Sequence, residues 1–148
     1  MAERTFVQFQ AGQSVYGLPV TSVIEIIRLV ALAPVPDPAP DLLGMINLRG
    51  RVIPVFDLCR SLHAEQRPLS LRMYIVIADV GGEALGVVVD DVLDVVSVHD
   101  DEFQVSRALG GANTFAAGIA RIGAEMLTIL NFAPLLDRAP SDAGAAEP

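Results

Sequence analysis

Few residues in this chain have both the type and the setting for catalysis. Its two histidines, His63 and His99, lie in polar connectors far apart in sequence, each with acidic residues nearby. A general base needs a reacting group and an orienting partner within hydrogen-bond reach, so loop histidines of this kind read as surface residues. The single cysteine, Cys59, sits in Leu58-Cys59-Arg60-Ser61-Leu62, where a thiol is a small buried hydrophobe rather than a nucleophile. Asp90-Asp91 and Asp100-Asp101-Glu102 lack the spaced oxygen ligands of a dedicated cation loop, so no metal site is expected. Gly81-Gly82 and Gly110-Gly111 are not followed by a helix-opening Lys-Ser/Thr, as a phosphate loop would be. No Cys-x-x-Cys, His-Glu-x-x-His or Gly-x-Ser-x-Gly occurs. The expectation is no enzyme and no cofactor. A small hydrolase using His99 and its acidic neighbours is the weakest reading.

One polar feature stands apart. Arg49-Gly50-Arg51 puts two guanidinium groups at a tight turn in a chain of net charge −8, with 18 acidic and 10 basic residues. A turn needs the glycine; it does not need the arginines. Arginine presents a planar fork to carboxylates, carbonyls and amides, so this tip is a candidate contact, with a solvated turn arginine as the plain alternative. The acidic balance, the lack of Trp and an aromatic content of 5% argue against a nucleic-acid partner. A small-barrel ligand or oligonucleotide binder is kept only as a lesser reading.

The elements around that turn are legible. Gly44 to Leu48 and Val52 to Phe56 are short runs rich in Ile, Val and Leu, as buried strands are. Gly50 joins them as a hairpin, and Asp57 stands where an N-cap belongs, ahead of a short helix over 58–62. Pro54 cannot donate to a ladder. Its strand is therefore expected at a sheet edge, or with Pro54 facing away from its neighbour.

The remaining chain reads the same way. Thr5 to Gln10 and Ser14 to Leu18 form a hairpin, and Val20 to Ile27 is a helical turn passing into a strand. Ala33 to Pro40 is a stiff Pro-rich connector. Met73 to Ala78 and Leu85 to Val89 pair across Gly81-Gly82, and Asp90-Asp91 could cap a helical turn before Val92 to Val96. Phe115 to Ile122 and Met126 to Leu130 make a last hairpin, followed by a short helix over 132–136 and a disordered tail, 139–148. No apolar run is long enough to span a bilayer, and no secretory signal is visible, so a cytoplasmic setting without membrane insertion is expected.

The chain also repeats itself. Gly12 and Gly17 align with Gly81 and Gly86, and Val20 to Ile26 aligns with Val89 to Val95. Farther on, Gly44 aligns with Gly118, Val52-Ile53 with Met126-Leu127 and Asp57-Leu58 with Asn131-Phe132. Two copies of one short-stranded unit must share a core. The fold class is mainly β: two pseudo-repeated five-stranded β-barrel subdomains packed together, with short helices. Subdomain one is expected over about 16–70, and subdomain two over about 74–137 plus an exchanged N-terminal strand, 4–11.

Asn47-Leu48-Arg49-Gly50 followed by Val52-Ile53-Pro54-Val55-Phe56-Asp57-Leu58 resembles the signature of CheW-like domains, the bacterial chemotaxis coupling proteins. The resemblance extends over roughly Thr5 to Asp137 and agrees with the two-barrel reading. It implies a non-enzymatic adaptor that couples transmembrane chemoreceptors to a CheA-type histidine kinase and scaffolds the signalling array. The implied partners are the kinase regulatory domain and the cytoplasmic tip of the receptors, with recruitment to the inner face of the membrane. A non-flagellar pathway, linked to pili or development, is the alternative within the same family. Carried over, the kinase contacts are Val23, Glu25 and Gly44. The receptor contacts are Asn47, Leu48, Arg49, Gly50, Ile75, Gly86, Val92 and Val95. The family often has an acidic-led segment where this chain has Asn131-Phe132-Ala133-Pro134.

Overall fold

The computed structural model describes residues 2–36, 39–62, 67–105 and 115–139. The expectations for His63, Gly110-Gly111 and the tail beyond residue 139 fall outside those residues. The strands are β1 (Glu3–Ala11), β2 (Ser14–Pro19), β3 (Val23–Arg28), β4 (Leu42–Leu48), β5 (Arg51–Asp57), β6 (Tyr74–Val80), β7 (Glu83–Val89), β8 (Asp91–His99), β9 (Phe103–Val105), β10 (Ala116–Ile122) and β11 (Glu125–Leu130). A one-turn helix, α1 (Leu58–Ser61), follows β5, and 3-10 turns cover Val20–Ser22, Asp100–Glu102 and Ala133–Arg138. The expected helical turn at Asp90-Asp91 is absent: β8 begins at Asp91, and the Asp91 side chain accepts a bond from the Val92 amide.

The strands form two sheets, ordered β8-β1-β2-β11-β10-β9 and β3-β6-β7-β5-β4. Their membership is not simply sequential. The first hairpin of each repeat leaves its own copy and joins the other. β1 pairs with β8 and β2 runs parallel to β11, while β6 pairs with β3 and β7 runs parallel to β5. Sequence order alone puts residues 74–89 with the second half and strand β2 with the first. The ladders instead carry whole hairpins, 3–19 and 74–89, across. A hairpin's two strands are already bonded to each other, so it crosses as one piece.

The repeated turns match. Gly12 and Gly81 carry φ of +64° and +61°, the left-handed conformation that glycine adopts without a Cβ penalty. Three apolar clusters hold the layers. The central one joins Phe9, Leu18, Leu130 and Phe132 from the first sheet's side to Phe56, Val76, Leu85 and Val87 from the second. Each sheet also curls over its own cluster: Ile46, Ile53, Ile75 and Ile77 in the second, Phe6, Val98, Ala120 and Ile129 in the first. β6 therefore buries both faces, Val76 toward the centre and Ile75 and Ile77 away from it.

The fold is mainly β, with two sheets packed together, and neither sheet is closed into a ring by ladders among the described residues. Among the described residues no ladder joins β3 to β4 or β8 to β9. The β3–β4 gap is spanned by the connector instead, where Ala33 and Met45 exchange backbone hydrogen bonds of 2.8 and 2.9 Å. A Pro-rich segment cannot extend that single bridge into a ladder. Pro54 itself lies in an interior strand. Leu48 and Arg51 close the two-residue turn as a bonded pair, and alternation makes Pro54 and Met45 a non-bonded one. Its nitrogen thus faces away from β4, one residue before the β7 ladder begins at Val55.

Candidate docking surface

The β4–β5 hairpin turns on Arg49 and Gly50, with φ of +53° and +86°. Two consecutive left-handed residues define the turn whose twist suits a two-residue hairpin. The Asn47 side-chain oxygen accepts a 2.9 Å bond from the Gly50 amide and holds the tip. Arg49 then reaches across to β3. Both guanidinium prongs meet both carboxylate oxygens of Glu25, the second at 3.0 Å. The arginine remains 70% exposed and the glutamate 27%. Hydrogen bonding to Arg49 lowers the Glu25 pKa below the usual carboxylate range, against a smaller opposing effect of desolvation.

A break in register beside Glu25 shapes the same surface. Val23 faces Ala78 and Glu25 faces Ile77, so Ile24 is an extra, bulged residue. It stands 50% exposed, as does Val52 on β5. Bulges re-aim side chains in this way, and strict alternation in the sequence does not reveal them. The Arg49–Glu25 pair thus joins the two strands that also display these aliphatic residues.

The candidates do not form one patch. Glu25, Asn47, Leu48, Arg49 and Gly50 come together on the second sheet, with half-buried Val23 beginning the adjoining strand. Gly44 is buried, and a Cβ there would stand 2.6 Å from the Ala33 carbonyl oxygen. Ile75 is fully buried, and Gly86 is buried with the Ile75 side chain 2.9 Å from where its Cβ would be. Both therefore fill the interior of the second sheet, and neither presents side-chain surface in this conformation. Val92 and Val95 belong to β8, an edge strand of the other sheet, where Val92 is half-buried and Val95 is 62% exposed.

Two polar networks escaped sequence reasoning. Arg67 donates to Asp57 at 2.8 Å and to Asp90 at 3.0 and 2.8 Å, inside a cleft where Asp57 is almost fully covered. Burial alone would lower the Arg67 pKa, but the bonds to Asp90 and Asp57 outweigh it and leave the pKa raised. Desolvation likewise pushes the neighbouring Cys59 thiol upward. On another side, Asp41 accepts from Ser61 at 2.7 Å and from Arg138, tying the last 3-10 turn to the first repeat. The acids were visible in the sequence; their cations lie 10 to 97 residues away and carry no local signal.

Among the described residues no group of three or more His, Cys, Asp or Glu side chains could hold a metal ion. No helix among them is long and apolar enough to cross a membrane. The surface offers hydrogen bonds, charge and apolar contact.

Comparison with known proteins agrees with that chemistry. A family model described as "CheW-like domain" matches residues 5–139. The chain belongs to the CheW-like family. A probable chemotaxis protein CheW of Rhizobium etli is 29% identical, over 95% of this chain and 92% of its own length. Protein FrzA of Myxococcus xanthus is 30% identical, over 93% and 88%. The crystal structure of the scaffolding protein TtCheW from Thermoanaerobacter tengcongensis superposes with a TM-score of 0.82 at 27% identity, covering 89% of this chain and 92% of that one. CheW-like proteins are scaffolding adaptors of chemotaxis rather than enzymes, and the mainly β architecture of two packed sheets is shared with TtCheW.

Proposed function

We propose that this protein couples the cytoplasmic tips of transmembrane chemoreceptors to a CheA-type histidine kinase, and that receptor arrays recruit it to the inner face of the membrane. The reading rests on one observation above the others. The tip carrying the family signature, Asn47 to Gly50, is held outward by Asn47 and bonded through Arg49 to Glu25, the acid of the segment assigned to the kinase. The two contact sets carried over from the family, one for each partner, therefore meet at a single ion pair. Exposed Ile24 and Val52 on the same two strands supply apolar area for docking, and arginine supplies orientation.

Co-sedimentation tests the reading. Receptor-bearing membranes are mixed with the kinase and this protein, and kinase activity is read in the pellet. The expected outcome is that kinase enters the pellet only when the protein is present, with altered activity. Equal kinase in the pellet with and without the protein overturns the proposal.

A further inference from the structure

The internal duplication builds two matching clefts where the sheets meet. In the first, Asp57 and Asp90 grip Arg67, whose side chain is only 17% exposed. The second lies beside the β6–β7 turn. A Cβ on Gly12 would stand 3.6 Å from Cys59 in the first cleft, and one on Gly81 would stand 3.8 Å from Leu136 in the second. Leu18, Leu130, Phe132 and Leu136 give the second cleft an apolar wall, and Ser22, Asp79 and Asn131 are its polar groups. Its volume is about 380 Å³. That size and lining are those of a ligand site, mostly apolar with a few convergent polar groups.

Charge is redistributed between the two clefts. In the alignment set by Gly12 with Gly81 and Gly44 with Gly118, Asp57 corresponds to Asn131, Asp90 to Thr21 and Gln10 to Asp79. Arg67 corresponds to Ser141, which lies outside the described residues and brings no cation. An acid is thus kept, on the opposite wall, while the arginine is gone. Asp79 is exposed, accepts a 2.9 Å bond from the Gly82 amide through one oxygen, and enters no ion pair among the described residues. Arg138, in the adjoining 3-10 turn, is committed to Asp41 and lies over Phe115. The Asn131 oxygen accepts from the Ala133 amide, which leaves its side-chain nitrogen and the Ser22 hydroxyl for an occupant. An arginine suits this slot: its planar fork matches the carboxylate, and its methylene stem buries against apolar walls. One carboxylate in place of two makes a grip that can be released.

We propose that the second cleft receives an arginine side chain from a partner protein, with the guanidinium on Asp79, as the chain's own Arg67 occupies the first. The test is an amide NMR titration of the full-length protein with N-acetyl-arginine amide. The expected result is saturable shifts of the Ala78, Gly81, Ala117 and Phe132 signals, with those of Phe9, Gly12 and Leu58 in the first cleft unmoved. Asp79→Asn keeps an oxygen for the Gly82 amide and removes only the charge, so the fold is retained and binding is expected to weaken about tenfold. No saturable shift overturns the proposal, as does equal binding by Asp79→Asn or by the uncharged N-acetyl-norleucine amide. Agmatine supplies the last arm, carrying the same guanidinium and stem without peptide groups. It is expected to bind more weakly than the arginine amide. Equally tight binding means that the occupant is a free organic cation, and the assignment to a partner protein fails.

Discussion

Arg49 and Glu25, 24 residues apart, form a two-pronged ion pair that joins the tip of the β4–β5 hairpin to β3. Both residues face solvent, so the pair orients the tip more than it stabilises the fold. Arg49→Ala and Glu25→Ala are each expected to leave the melting temperature nearly unchanged while weakening receptor and kinase co-sedimentation by about tenfold, the usual scale of a central interface arginine. The double variant is expected to lose little more than either single one, because both remove the same interaction. Additive losses would show two independent contacts.

The same pair sets a pH response. Glu25 titrates lower in the folded protein than in the unfolded chain, where its ordinary value is 4.5. Its contribution is therefore full above that value and disappears as pH falls through the lower folded value. Titration followed by carboxyl carbon NMR should place the Glu25 midpoint below 4.5 in the native protein and restore it toward 4.5 in Arg49→Ala.

Arg67→Met is expected to be far more damaging. It leaves Asp57, only 2% exposed, without its close partner, while Arg60 remains at 3.6 Å. Removing one partner from a buried pair costs about 3–5 kcal/mol, and the nearby Arg60 places this case at about 3. Urea unfolding should show the midpoint shift, and Asp57→Asn combined with Arg67→Met should recover part of it.

Gly44→Ala separates packing from contact. The new methyl would press on the Ala33 backbone, which cannot swing aside as a side chain would. A loss of about 1–3 kcal/mol is expected, together with exposure of the Ala33 and Met45 amides to hydrogen exchange. Kinase binding should fall only as far as the folded fraction falls.

Cys59 is completely buried, and desolvation raises its thiol pKa even though Arg67 pulls the other way. The native protein is expected to resist iodoacetamide at neutral pH and to react once urea unfolds it. Because the folded thiol holds its proton more tightly than the unfolded one, its contribution is intact below the unfolded thiol's pKa. It is lost as pH rises through the folded value.

The legible parts were local. Paired glycines, β-branched runs and the Asp57 cap have their causes within a few residues, so the hairpins, α1 and the passage from the turn at Val20–Ser22 into β3 were readable. Asp57 does accept a bond from the Cys59 amide. The Arg49 tip was also readable, since arginines at a turn answer no local demand. Gly86 and Ile75 were not: a residue type does not say which face of a doubly covered strand it occupies, and β6 is covered on both.

By itself, the sequence determined that this is a duplicated all-β chain with an arginine-bearing hairpin and an apolar inventory suited to docking. Those properties follow from short-range sterics, turn chemistry and composition. Only the tertiary structure decided that whole hairpins change sheets, that Glu25 receives Arg49, and that Arg67 meets Asp57 and Asp90. Each of these depends on which distant strands find one another, and pairing energies between similar apolar runs are too alike for sequence to rank them.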